Sequence, residues 1–563
     1  MKANLITTLI LTILSLTALS QQNLTSGQAY DKAQEARAKA RKFYDKDNPS
    51  KSECDSGIAI LDNTIKYLDS KQVTELAQGN LYLKARKADV YFDMTMAYIL
   101  AHQYDKAIAT LESVCDQGDY YRIPYYEKDS LFIPVRSDVR FQAAINKLKL
   151  RQALWKDESL KTAYQNNLSD DEKVAGLSLL WSQAKYNFAN FDHASIDWDK
   201  TYLEYLSLVK NTSSTTQYYK VLQQFYAQLK DGHSNVYVPQ ALTNEFYARP
   251  PFRTELIEGR VFVTQVFSDS LKSTGVVPGT EIIRIDNQPV LNYGKTQVAP
   301  YQSSSTPQDL DVRSYTYALL AGSATKPIPL QLRNSKGKTW EQTINRAGYH
   351  DIKNSTAGLE YTQIGQIGYL TINDFEDEKI MSQFDSLYTQ IAKTKGLIID
   401  IRNNGGGSSG IGYHILESLT DKPFKTSYSK IPRYLPGING IQWYENAPGE
   451  WRVNGKQYYD KPVVLLISAR TFSAAEDFTV AFDYMKRGKL IGQATGGSTG
   501  QPMSFNLPGG GSARICTKHD AYPDGKEFVG IGIMPDIAVT KTIKDLWAGT
   551  DLTKEKALQL LNK

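Results

Sequence analysis

Residues 463–500 read VVLLISARTFSAAEDFTVAFDYMKRGKLIGQATGGSTG, and this stretch sets the architecture of the C-terminal half. A short apolar run, Val463–Ile467, predicts a buried strand. A polar turn and Ser473 come next, and the amphipathic run after them predicts a helix. Leu490 and Ile491 form a second apolar run, which leads into a glycine-rich loop. Ser473 therefore lies between a buried strand and a helix, where a nucleophile gains from backbone donors and the positive helix end.

The same serine also fits a purely structural role. Ser473 and Glu476 are spaced as a capping box, with serine at the N-cap and glutamate at N3. On this motif alone a cap is the more common explanation, because most serines in such positions are caps. Only other parts of the chain can decide between the two roles.

Length and composition describe an ordinary globular chain with room for several domains. The 563 residues are 41% hydrophobic and 22% charged, and a chain of this length exceeds a single hydrophobic core. The 65 basic and 60 acidic residues leave a formal net charge of +5. This charge is small for the length and gives no argument for nucleic acid, so we expect no nucleic-acid partner.

The N-terminus predicts a secretory signal peptide over residues 1–20. Met1 and Lys2 form a basic start, Leu5–Leu19 is a short apolar stretch, and small residues end it before Gln21. A membrane anchor is the alternative, but the stretch is short and interrupted by threonine and serine. The sequence has no cysteine near the expected cleavage position, and this absence argues against a lipid anchor. We expect an exported protein, periplasmic or secreted, without stable insertion in the membrane.

Residues 21–150 predict a helical domain. Within Ala88–Cys115 two helical stretches are joined by a short turn, and Ala97, Tyr104 and Leu111 fall at tetratricopeptide-like positions. Only one repeat is convincing, and a plain helical bundle is the alternative. Surfaces of this kind often hold peptides or proteins, so a protein partner would be expected here.

The three cysteines, Cys54, Cys115 and Cys516, are not spaced as a metal site. Export would permit a disulfide, and Cys54 and Cys115 fall in the same helical region. All three could equally be free and buried.

Three further regions divide the rest of the chain. Residues 155–245 predict a second helical segment, which ends at Gly232 and presents His233 in a loop on a rigid scaffold. Residues 250–350 alternate strands and turns and predict a compact β-rich module. Residues 355–550 alternate strands with helices, which predicts a largely parallel sheet with functional loops at the strand ends and a β-rich tail formed by Ser512–Cys516 and Val529–Val539.

Four motifs in the C-terminal half together resemble those of a known peptidase family. They are Leu397–Gly407 (LIIDIRNNGGG), Phe472–Glu476 (FSAAE), Leu490–Gly496 (LIGQATG) and Gly532–Asp536 (GIMPD). In this order they resemble the C-terminal processing (tail-specific) serine peptidases, a group that includes the tricorn protease core and the retinoid-binding-protein homologues.

The resemblance implies a multidomain α+β fold. Its parts would be an α/β peptidase core of the ClpP/crotonase type, a PDZ-like module around Gly275–Val290, and the N-terminal helical domain. The PDZ-like module could bind a substrate terminus, but it has no obvious carboxylate-binding glycine loop and could be structural. Ser473 takes the nucleophile position, and no metal or cofactor is implied.

The general base is where this chain departs from the processing peptidases. Family spacing places their lysine at Ser498, and no lysine occurs in Gln493–Phe505. Lys230–Ser234 (KDGHS) resembles the histidine-bearing segment of the tricorn-like branch, which implies His233 as the base. Histidine suits this role because it titrates near neutral pH. His519, in a polar turn near the tail, is the main rival.

An acid should orient the histidine and stabilise the imidazolium. The resemblance implies Glu527, although its offset differs from that of the tricorn-like branch. Asp231, Asp477 and Asp520 are alternatives. In that branch a serine immediately before the histidine also joins the hydrogen-bond network. This chain has Gly232 at that position, which has no side chain to take that role.

The oxyanion of an acyl transfer needs two donors aimed at one point. The N–H of Ala474, at the helix start, is one candidate. The other lies in Gly405–Gly407, where missing side chains let the backbone approach a substrate, and Gly406 is favoured. A phosphate-binding loop is the competing interpretation of this run, but the run lacks the lysine and hydroxyl residue that such loops end in.

The sequence thus predicts an exported serine peptidase that acts on peptides or unfolded proteins by acyl transfer. The alternative is a peptidase fold that has lost activity and serves as a peptide-binding scaffold, which the lysine-free loop and the extra helical domain suggest. A carrier of small ligands, as in the retinoid-binding relatives, is a third interpretation. The intact Phe472–Glu476 motif argues against it.

Overall fold

The computed structural model describes residues 24–117, 120–154, 158–352, 357–453 and 458–562. The chain divides into two compact units, residues 1–155 and 156–563. The signal peptide expected over residues 1–20 lies outside the described residues. Across the described ranges, no helix combines the length and the apolar character that crossing a membrane requires.

The first unit is helical, and capping boxes begin its first two helices. Thr25 exchanges hydrogen bonds with Gln28, and Ser50 does so with Glu53, which satisfies N–H groups that a first helical turn leaves unpaired. The helices are α1 (Ser26–Tyr44), α2 (Lys51–Leu68), α3 (Lys71–Gln78), α4 (Leu81–Leu100), α5 (Tyr104–Asp116), α6 (Ile123–Lys128), α7 (Ile133–Arg136) and α8 (Val139–Ala153).

The helix pair predicted between residues 88 and 115 corresponds to α4 and α5. The turn between them passes through His102 with a φ of 57°. Ala97 and Leu111 are fully buried, as the repeat-like pattern predicts. Asp93 of α4 is also buried, and it pairs with Arg37 and Arg41 of α1 at 2.7 Å each, because a buried carboxylate needs compensating charge.

The second unit begins with helices whose apolar faces form one core. Leu180, Leu222 and Phe225 are fully buried in it, and a capping box between Ser169 and Glu172 begins the first helix. The elements are α9 (Asp170–Asn187), α10 (Phe191–Ala194), α11 (Trp198–Lys210), α12 (Thr215–Ala227) and the short strand β1 (Asn235–Tyr237).

An antiparallel sheet follows, where the sequence predicts a β-rich module. Ile328, Leu330 and Leu332 of one strand are buried while their neighbours are not, so one face of the sheet covers the core. The elements are α13 (Thr243–Phe246), β2 (Phe252–Ile257), β3 (Arg260–Val266), α14 (Asp269–Ser273), β4 (Glu281–Ile285), β5 (Gln288–Pro289), α15 (Val290–Tyr293), α16 (Pro307–Asp311), β6 (Ile328–Arg333) and β7 (Thr339–Ile344), with strand order β2-β3-β4-β6-β7 and β5 beside β4.

The remaining residues alternate strands and helices, as predicted. Their elements are β8 (Leu359–Ile364), β9 (Ile367–Ile372), α17 (Lys379–Ile391), β10 (Gly396–Asp400), α18 (Ser409–Glu417), β11 (Phe424–Lys425), β12 (Tyr428–Leu435), β13 (Gly440–Asn446), β14 (Glu450–Trp451), β15 (Val463–Ile467), α19 (Ala474–Tyr484), β16 (Gly488–Gly492), β17 (Pro502–Leu507), β18 (Gly511–Cys516), β19 (His519–Ala521), β20 (Ile537–Ala538), α20 (Ile543–Ala548) and α21 (Leu552–Leu561).

A six-stranded sheet with the order β20-β16-β15-β10-β9-β8 forms the centre of this part. Only β8 and β9 are antiparallel; the other neighbours are parallel. Every residue of β10 and β15 is buried. Because these two strands are parallel neighbours, the loops that follow them meet at one edge of the sheet. The multidomain α+β fold with a largely parallel core sheet is thereby confirmed.

A small antiparallel sheet, β1-β18-β17, connects the helical segment to the C-terminal part. Asn235 pairs with Arg514 and Val236 with Ala513. This register fixes the loop that precedes β1, and therefore His233, close to the end of the main sheet.

The β-rich tail is confirmed at Ser512–Cys516, which lies within β18. The prediction for Val529–Val539 is largely wrong, because only Ile537–Ala538 forms a strand there. Gly530 and Gly532 have φ values of 78° and 95°, which interrupt an extended chain. The segment forms a loop instead, and its backbone bonds to Thr495 and Gly497. It thereby packs beside the glycine-rich loop that the sequence places after the Leu490–Ile491 run.

Candidate active site

Ser473 lies in a tight turn between β15 and α19, as predicted. Ser468 Oγ donates to the Arg402 carbonyl at 2.6 Å and Thr471 Oγ1 donates to the Ile401 carbonyl at 2.9 Å, which ties the turn to the end of β10. Ser473 itself has a φ of 58° and a ψ of −126°. For a non-glycine residue such a conformation costs about 1–3 kcal/mol. Strained strand-to-helix turns of this kind present a serine hydroxyl at the end of a sheet.

The fold brings His233 to Ser473 across 240 residues of sequence. His233 Nε2 lies 2.9 Å from Ser473 Oγ. The backbone reaches this point through Lys230, whose φ is 50°. The Phe472 ring stacks on the imidazole with a centroid distance of 4.8 Å and an interplanar angle of 17°. Stacking and the β1 pairing therefore hold the histidine in one orientation.

The other imidazole nitrogen contacts Ser498. His233 Nδ1 lies 2.9 Å from Ser498 Oγ, and the Ser498 side chain is fully buried. One tautomer serves both contacts: Nδ1–H donates to Ser498 Oγ, and the Nε2 lone pair accepts from the Ser473 hydroxyl. The position that family spacing assigns to lysine thus supplies a hydroxyl to the histidine.

Burial lowers the pKa of His233 well below its ordinary value of 6.5, and the positive charges of Arg514, Arg313 and Lys518 lower it further. Within the described part of the chain, both ring nitrogens contact serine hydroxyls and neither contacts a carboxylate. His233 is therefore neutral at physiological pH, and neutral imidazole is the form that accepts a proton.

Glu476 connects the nucleophile to the loop that carries Ser498. Its buried carboxylate accepts from Thr495 Oγ1 at 2.5 Å and from the N–H groups of Gly497 at 2.8 Å, Ser498 at 2.9 Å and Ser473 at 3.3 Å. Burial raises the pKa of Glu476 to about 7, against the opposing effect of these hydrogen bonds. One half of the capping box is confirmed, because the Glu476 carboxylate accepts from the Ser473 N–H. The Glu476 N–H donates to the Ser473 carbonyl at 2.7 Å, and Ser473 Oγ contacts His233.

Asp231 orients the main chain at His233 and not the imidazole. One carboxylate oxygen accepts from the His233 N–H at 3.0 Å and from Ser234 Oγ at 2.8 Å. The other accepts from Asn190 Nδ2 at 3.1 Å. Burial raises the pKa of Asp231, and its hydrogen bonds restrain the loop from which the histidine projects.

Glu527 does not orient His233, so the prediction of that contact is corrected. Glu527 Oε2 lies 2.8 Å from His519 Nε2, and His519 Nδ1 lies 2.7 Å from Asn190 Oδ1. A backbone bridge between Ala521 and Glu527 turns the chain back on itself and places Glu527 beside His519. His519, the rival base, is held by these two partners and does not contact Ser473 in the described residues.

The two predicted oxyanion donors differ in availability. The N–H of Ala474, the first residue of α19, has no acceptor among the residues that the structure describes. The N–H of Gly406 donates to Asn404 Oδ1 at 2.9 Å, so its assignment as a free donor is contradicted. Gly406 still lies against the nucleophile, because a Cβ there would be 2.6 Å from the Ser473 Cβ.

The remaining acid candidates lie away from the imidazole. Asp477 accepts from Ser409 Oγ at 2.6 Å, and burial raises its pKa to about 6. Asp520 accepts from Thr499 Oγ1 at 2.7 Å and pairs with Lys518 at 2.9 Å. Over the described ranges, no group of three or more histidine, cysteine, aspartate or glutamate side chains is arranged to hold a metal ion.

Three residues of the site have contacts that the motifs alone did not indicate. Family spacing singled out Ser498 but gave it no partner. The capping box of Glu476 indicated its bond to the Ser473 backbone but not its hold on the following loop. Asn190 carried no local signal, because its partners lie 41 and 329 residues away.

Two segments match known protein families. Residues 366–539 match the model described as peptidase family S41, and residues 177–227 match the tricorn protease C1 domain. The first segment contains the main parallel strands and Ser473. The second covers most of α9 through α12 and ends shortly before His233.

Curated relatives share the C-terminal processing name. The carboxy-terminal-processing protease of Bartonella bacilliformis is 27% identical over 237 residues, which cover 40% of this chain and 52% of that protein. The chloroplastic C-terminal processing peptidase of Tetradesmus obliquus is 23% identical over 282 residues, which cover 49% of this chain and 56% of that protein. The chain thus spans about half the length of these relatives.

A solved structure shares the fold over more than half of this chain. Mature CPAF complexed with lactacystin aligns with a TM-score of 0.55 and 16% sequence identity, covering 70% of this chain and 99% of that one. At this identity the similarity supports the common fold, and the chemistry has to be argued from the side chains described above.

Proposed function

We propose that this chain, a serine-type peptidase of family S41 over residues 366–539, hydrolyses peptide bonds through an acyl-enzyme formed on Ser473. The observation that carries the proposal is the distance of 2.9 Å between Ser473 Oγ and His233 Nε2. A serine hydroxyl is a weak nucleophile unless a base takes its proton during the attack. The histidine beside it is buried, neutral and oriented through Nδ1 by Ser498.

Acylation would begin with attack of Ser473 Oγ on the carbonyl carbon of the scissile peptide bond. The hydroxyl proton passes to His233 Nε2, and the carbonyl oxygen becomes an oxyanion. The N–H of Ala474 can donate to this oxyanion, helped by the positive end of α19. His233 then gives the proton to the leaving amine, the C–N bond breaks, and the acyl group remains on Ser473.

Deacylation repeats the same steps with water as the nucleophile. His233 Nε2 takes a proton from water as the water oxygen attacks the acyl carbon. The bond to Ser473 Oγ breaks, the serine regains its proton from His233, and the carboxylic acid product leaves. Protons and electron pairs balance over the cycle.

Ser498 occupies the place at Nδ1 that a carboxylate holds in serine–histidine–aspartate sites. A hydroxyl can fix the tautomer, but it does not neutralise the imidazolium that forms in the transition state. His233 is therefore a weaker base than one paired with a carboxylate. General-base catalysis nevertheless contributes about 10²–10⁴-fold to a rate, so the histidine should dominate activity.

Export and a protein substrate belong to the same proposal. Residues 1–20 have the composition of a signal peptide, and the helical first unit offers a surface for a protein partner or substrate. N-terminal sequencing of protein from the native host tests export. A mature chain that begins near Gln21 is expected, and a chain that begins at Met1 would contradict it.

Casein turnover tests the peptidase chemistry. The full-length protein should degrade fluorescent casein, and Ser473→Ala should remove the activity. His233→Ala should lower kcat by about 10²–10⁴-fold. The matched control is His519→Ala, which removes another buried histidine that contacts Asn190 and Glu527 instead of the nucleophile. Activity that survives His233→Ala but is lost in His519→Ala would contradict the assignment of the base.

A second candidate function is a peptide-binding scaffold without turnover. One observation favours it: the N–H of Gly406 is engaged by Asn404, which leaves the oxyanion with the Ala474 donor. Casein that binds the wild-type protein but is never cleaved would support the scaffold. Turnover that depends on Ser473 would exclude it.

A further inference from the structure

The Glu476 carboxylate is a fully buried acidic group that the acylation and deacylation steps do not use. Its Oε1 accepts from the Thr495 hydroxyl at 2.5 Å and from the Gly497 N–H at 2.8 Å. Its Oε2 accepts from the Ser498 N–H at 2.9 Å and from the Ser473 N–H at 3.3 Å. An ionised carboxylate offers about four lone-pair sites, so these four donors use its whole capacity.

The arrangement of these donors selects the ionised form of the carboxyl group. The N–H groups of Gly497 and Ser498 follow one another in the chain, and Gly497 has a φ of 70°. Successive N–H groups in such a turn form a concave site for an anion. The start of α19 adds the same preference, because the N-terminal end of a helix favours negative charge.

A protonated carboxyl group cannot keep all four bonds. A proton on Oε2 would face the N–H groups of Ser498 and Ser473, which have no lone pair to accept it. A proton on Oε1 would be directed at the Thr495 hydroxyl, which already accepts from the Ile533 N–H at 2.7 Å. The Gly497 N–H would then face a hydroxyl oxygen. In either case the loop loses part of its attachment to α19.

This attachment places Ser498 on the imidazole of His233. Ser498 Oγ lies 2.9 Å from His233 Nδ1, while the Ser498 carbonyl accepts from the Ser473 N–H at 3.1 Å. Glu476 thus bonds to the main chain of the two serines whose hydroxyls contact the two ring nitrogens. A loop that moves away from Glu476 changes the contact at Nδ1 directly.

We propose that Glu476 is a positioning residue of this peptidase: its carboxylate holds Ser498 on His233, and its protonation releases Ser498 and produces the acid limb of the pH–rate profile. The inference rests on the peptidase activity proposed above. Its only chemical step is the addition of one proton from solvent to the carboxylate.

The order in which the two buried groups titrate makes this assignment distinctive. An acid limb ordinarily reports the histidine base itself. Here burial, together with nearby positive charge, lowers the pKa of His233 well below 6.5. Burial raises the pKa of Glu476 to about 7. As the pH falls, the glutamate therefore takes its proton before the histidine does.

Other ionisable side chains face this region from the surrounding elements. They are Asp477, Arg313, Lys518, Asp520 and Tyr522. Burial raises the pKa of Asp477 to about 6, so Asp477 takes its proton at a lower pH than Glu476. It also bonds to Ser409 and not to the loop. Asp477 is therefore a matched control for Glu476, because it is a buried carboxylate at the next position of the same helix.

The pH dependence of kcat with a quenched fluorescent peptide tests the proposal. A single titration near pH 7 should lower the wild-type kcat about tenfold between pH 8 and pH 6, with little change in KM. Glu476→Gln keeps the size but not the charge. Its kcat should be at least about tenfold lower at pH 8, because Ser498 no longer orients the imidazole, and constant between pH 6 and pH 8. Glu476→Asp should recover an acid limb, and Asp477→Asn should keep the wild-type midpoint.

Amide hydrogen exchange gives a second readout that needs no turnover. The protein is Ser473→Ala, which keeps the backbone N–H at that position and cannot form an acyl-enzyme. After correction for the intrinsic pH dependence, the protection of the Gly497 and Ser498 N–H groups should fall as the pH drops through 7. The double variant Ser473→Ala and Glu476→Gln should show no such change.

Three results would overturn the role of Glu476. They are an acid limb with an unchanged midpoint in Glu476→Gln, an acid limb that disappears in Asp477→Asn, and protection of Gly497 and Ser498 that stays constant through pH 7. A wild-type protein that cleaves no peptide at any pH would contradict the peptidase proposal instead, and the exchange measurement would then decide whether Glu476 holds Ser498. The exchange of Ser473→Ala also decides if Glu476→Gln fails to fold.

Discussion

Replacing Ser498 with alanine isolates the contribution of the hydroxyl that orients His233. The change removes the contact of 2.9 Å at Nδ1 from a fully buried position and leaves the contact between Nε2 and Ser473 in place. The Nδ1–H group carries part of the positive charge when His233 takes the proton. A hydrogen bond to a charged group contributes about 1.5–3 kcal/mol, and about 1.4 kcal/mol changes a rate tenfold. Ser498→Ala should therefore lower kcat by about 10- to 150-fold.

The assay is steady-state cleavage of a quenched fluorescent peptide at saturating and limiting concentrations. KM should change little, because Ser498 is buried behind the imidazole and the loss falls on the transition state. Ser314→Ala is the matched control, since it removes another buried serine hydroxyl, one without a hydrogen-bond partner. An unchanged kcat in Ser498→Ala, or an equal loss in Ser314→Ala, would refute the role of Ser498.

Three further predictions concern the same site. Gly406→Ala places a Cβ 2.6 Å from the Ser473 Cβ at a φ of 103° and should abolish turnover and lower Tm. Gly405→Ala meets nothing within 4 Å and should leave turnover and Tm unchanged. Equal effects of the two substitutions would contradict this prediction. Ser473→Gly should be about 1 kcal/mol more stable than Ser473→Ala in urea unfolding, because glycine adopts this backbone conformation without strain; a more stable alanine variant would contradict it. Burial raises the folded pKa of Glu476 from 4.5 to about 7, so the stability that Glu476 contributes is full below pH 4.5 and lost as the pH rises to about 7. The free energy of unfolding of the wild type, relative to Glu476→Gln, should thus fall by about 3 kcal/mol between pH 4.5 and pH 8, and a rise over that interval would count against the pKa assignment.

The elements of the fold were predictable where the sequence is locally unambiguous. Val463–Ile467 forms a strand with the predicted bounds, because an apolar run specifies a buried strand without reference to distant residues. The prediction of strand structure over Val529–Val539 was largely wrong because glycines with positive φ values make most of this apolar stretch a loop. Local composition does not reveal such backbone conformations in advance.

The site was predictable in its principal pair and not in the residues around it. Motif order indicated Ser473 and His233, whose types are dictated by the chemistry. The partner of Nδ1 and the partner of Glu527 depend on tertiary packing, which includes the register of β1 with β18 and the bridge between Ala521 and Glu527. A carboxylate that resembles a catalytic acid in sequence can therefore contact a different histidine, as Glu527 does with His519.

Fluorophosphonate labelling mapped by peptide mass spectrometry tests the pairing of Ser473 with His233 most directly. The reagent reports an activated serine whatever the natural substrate is. We predict an adduct on Ser473 in the wild-type protein at neutral pH, with a labelling rate at least about a hundredfold lower in His233→Ala. An adduct on a different serine, or a rate unaffected by His233→Ala, would contradict the proposed chemistry.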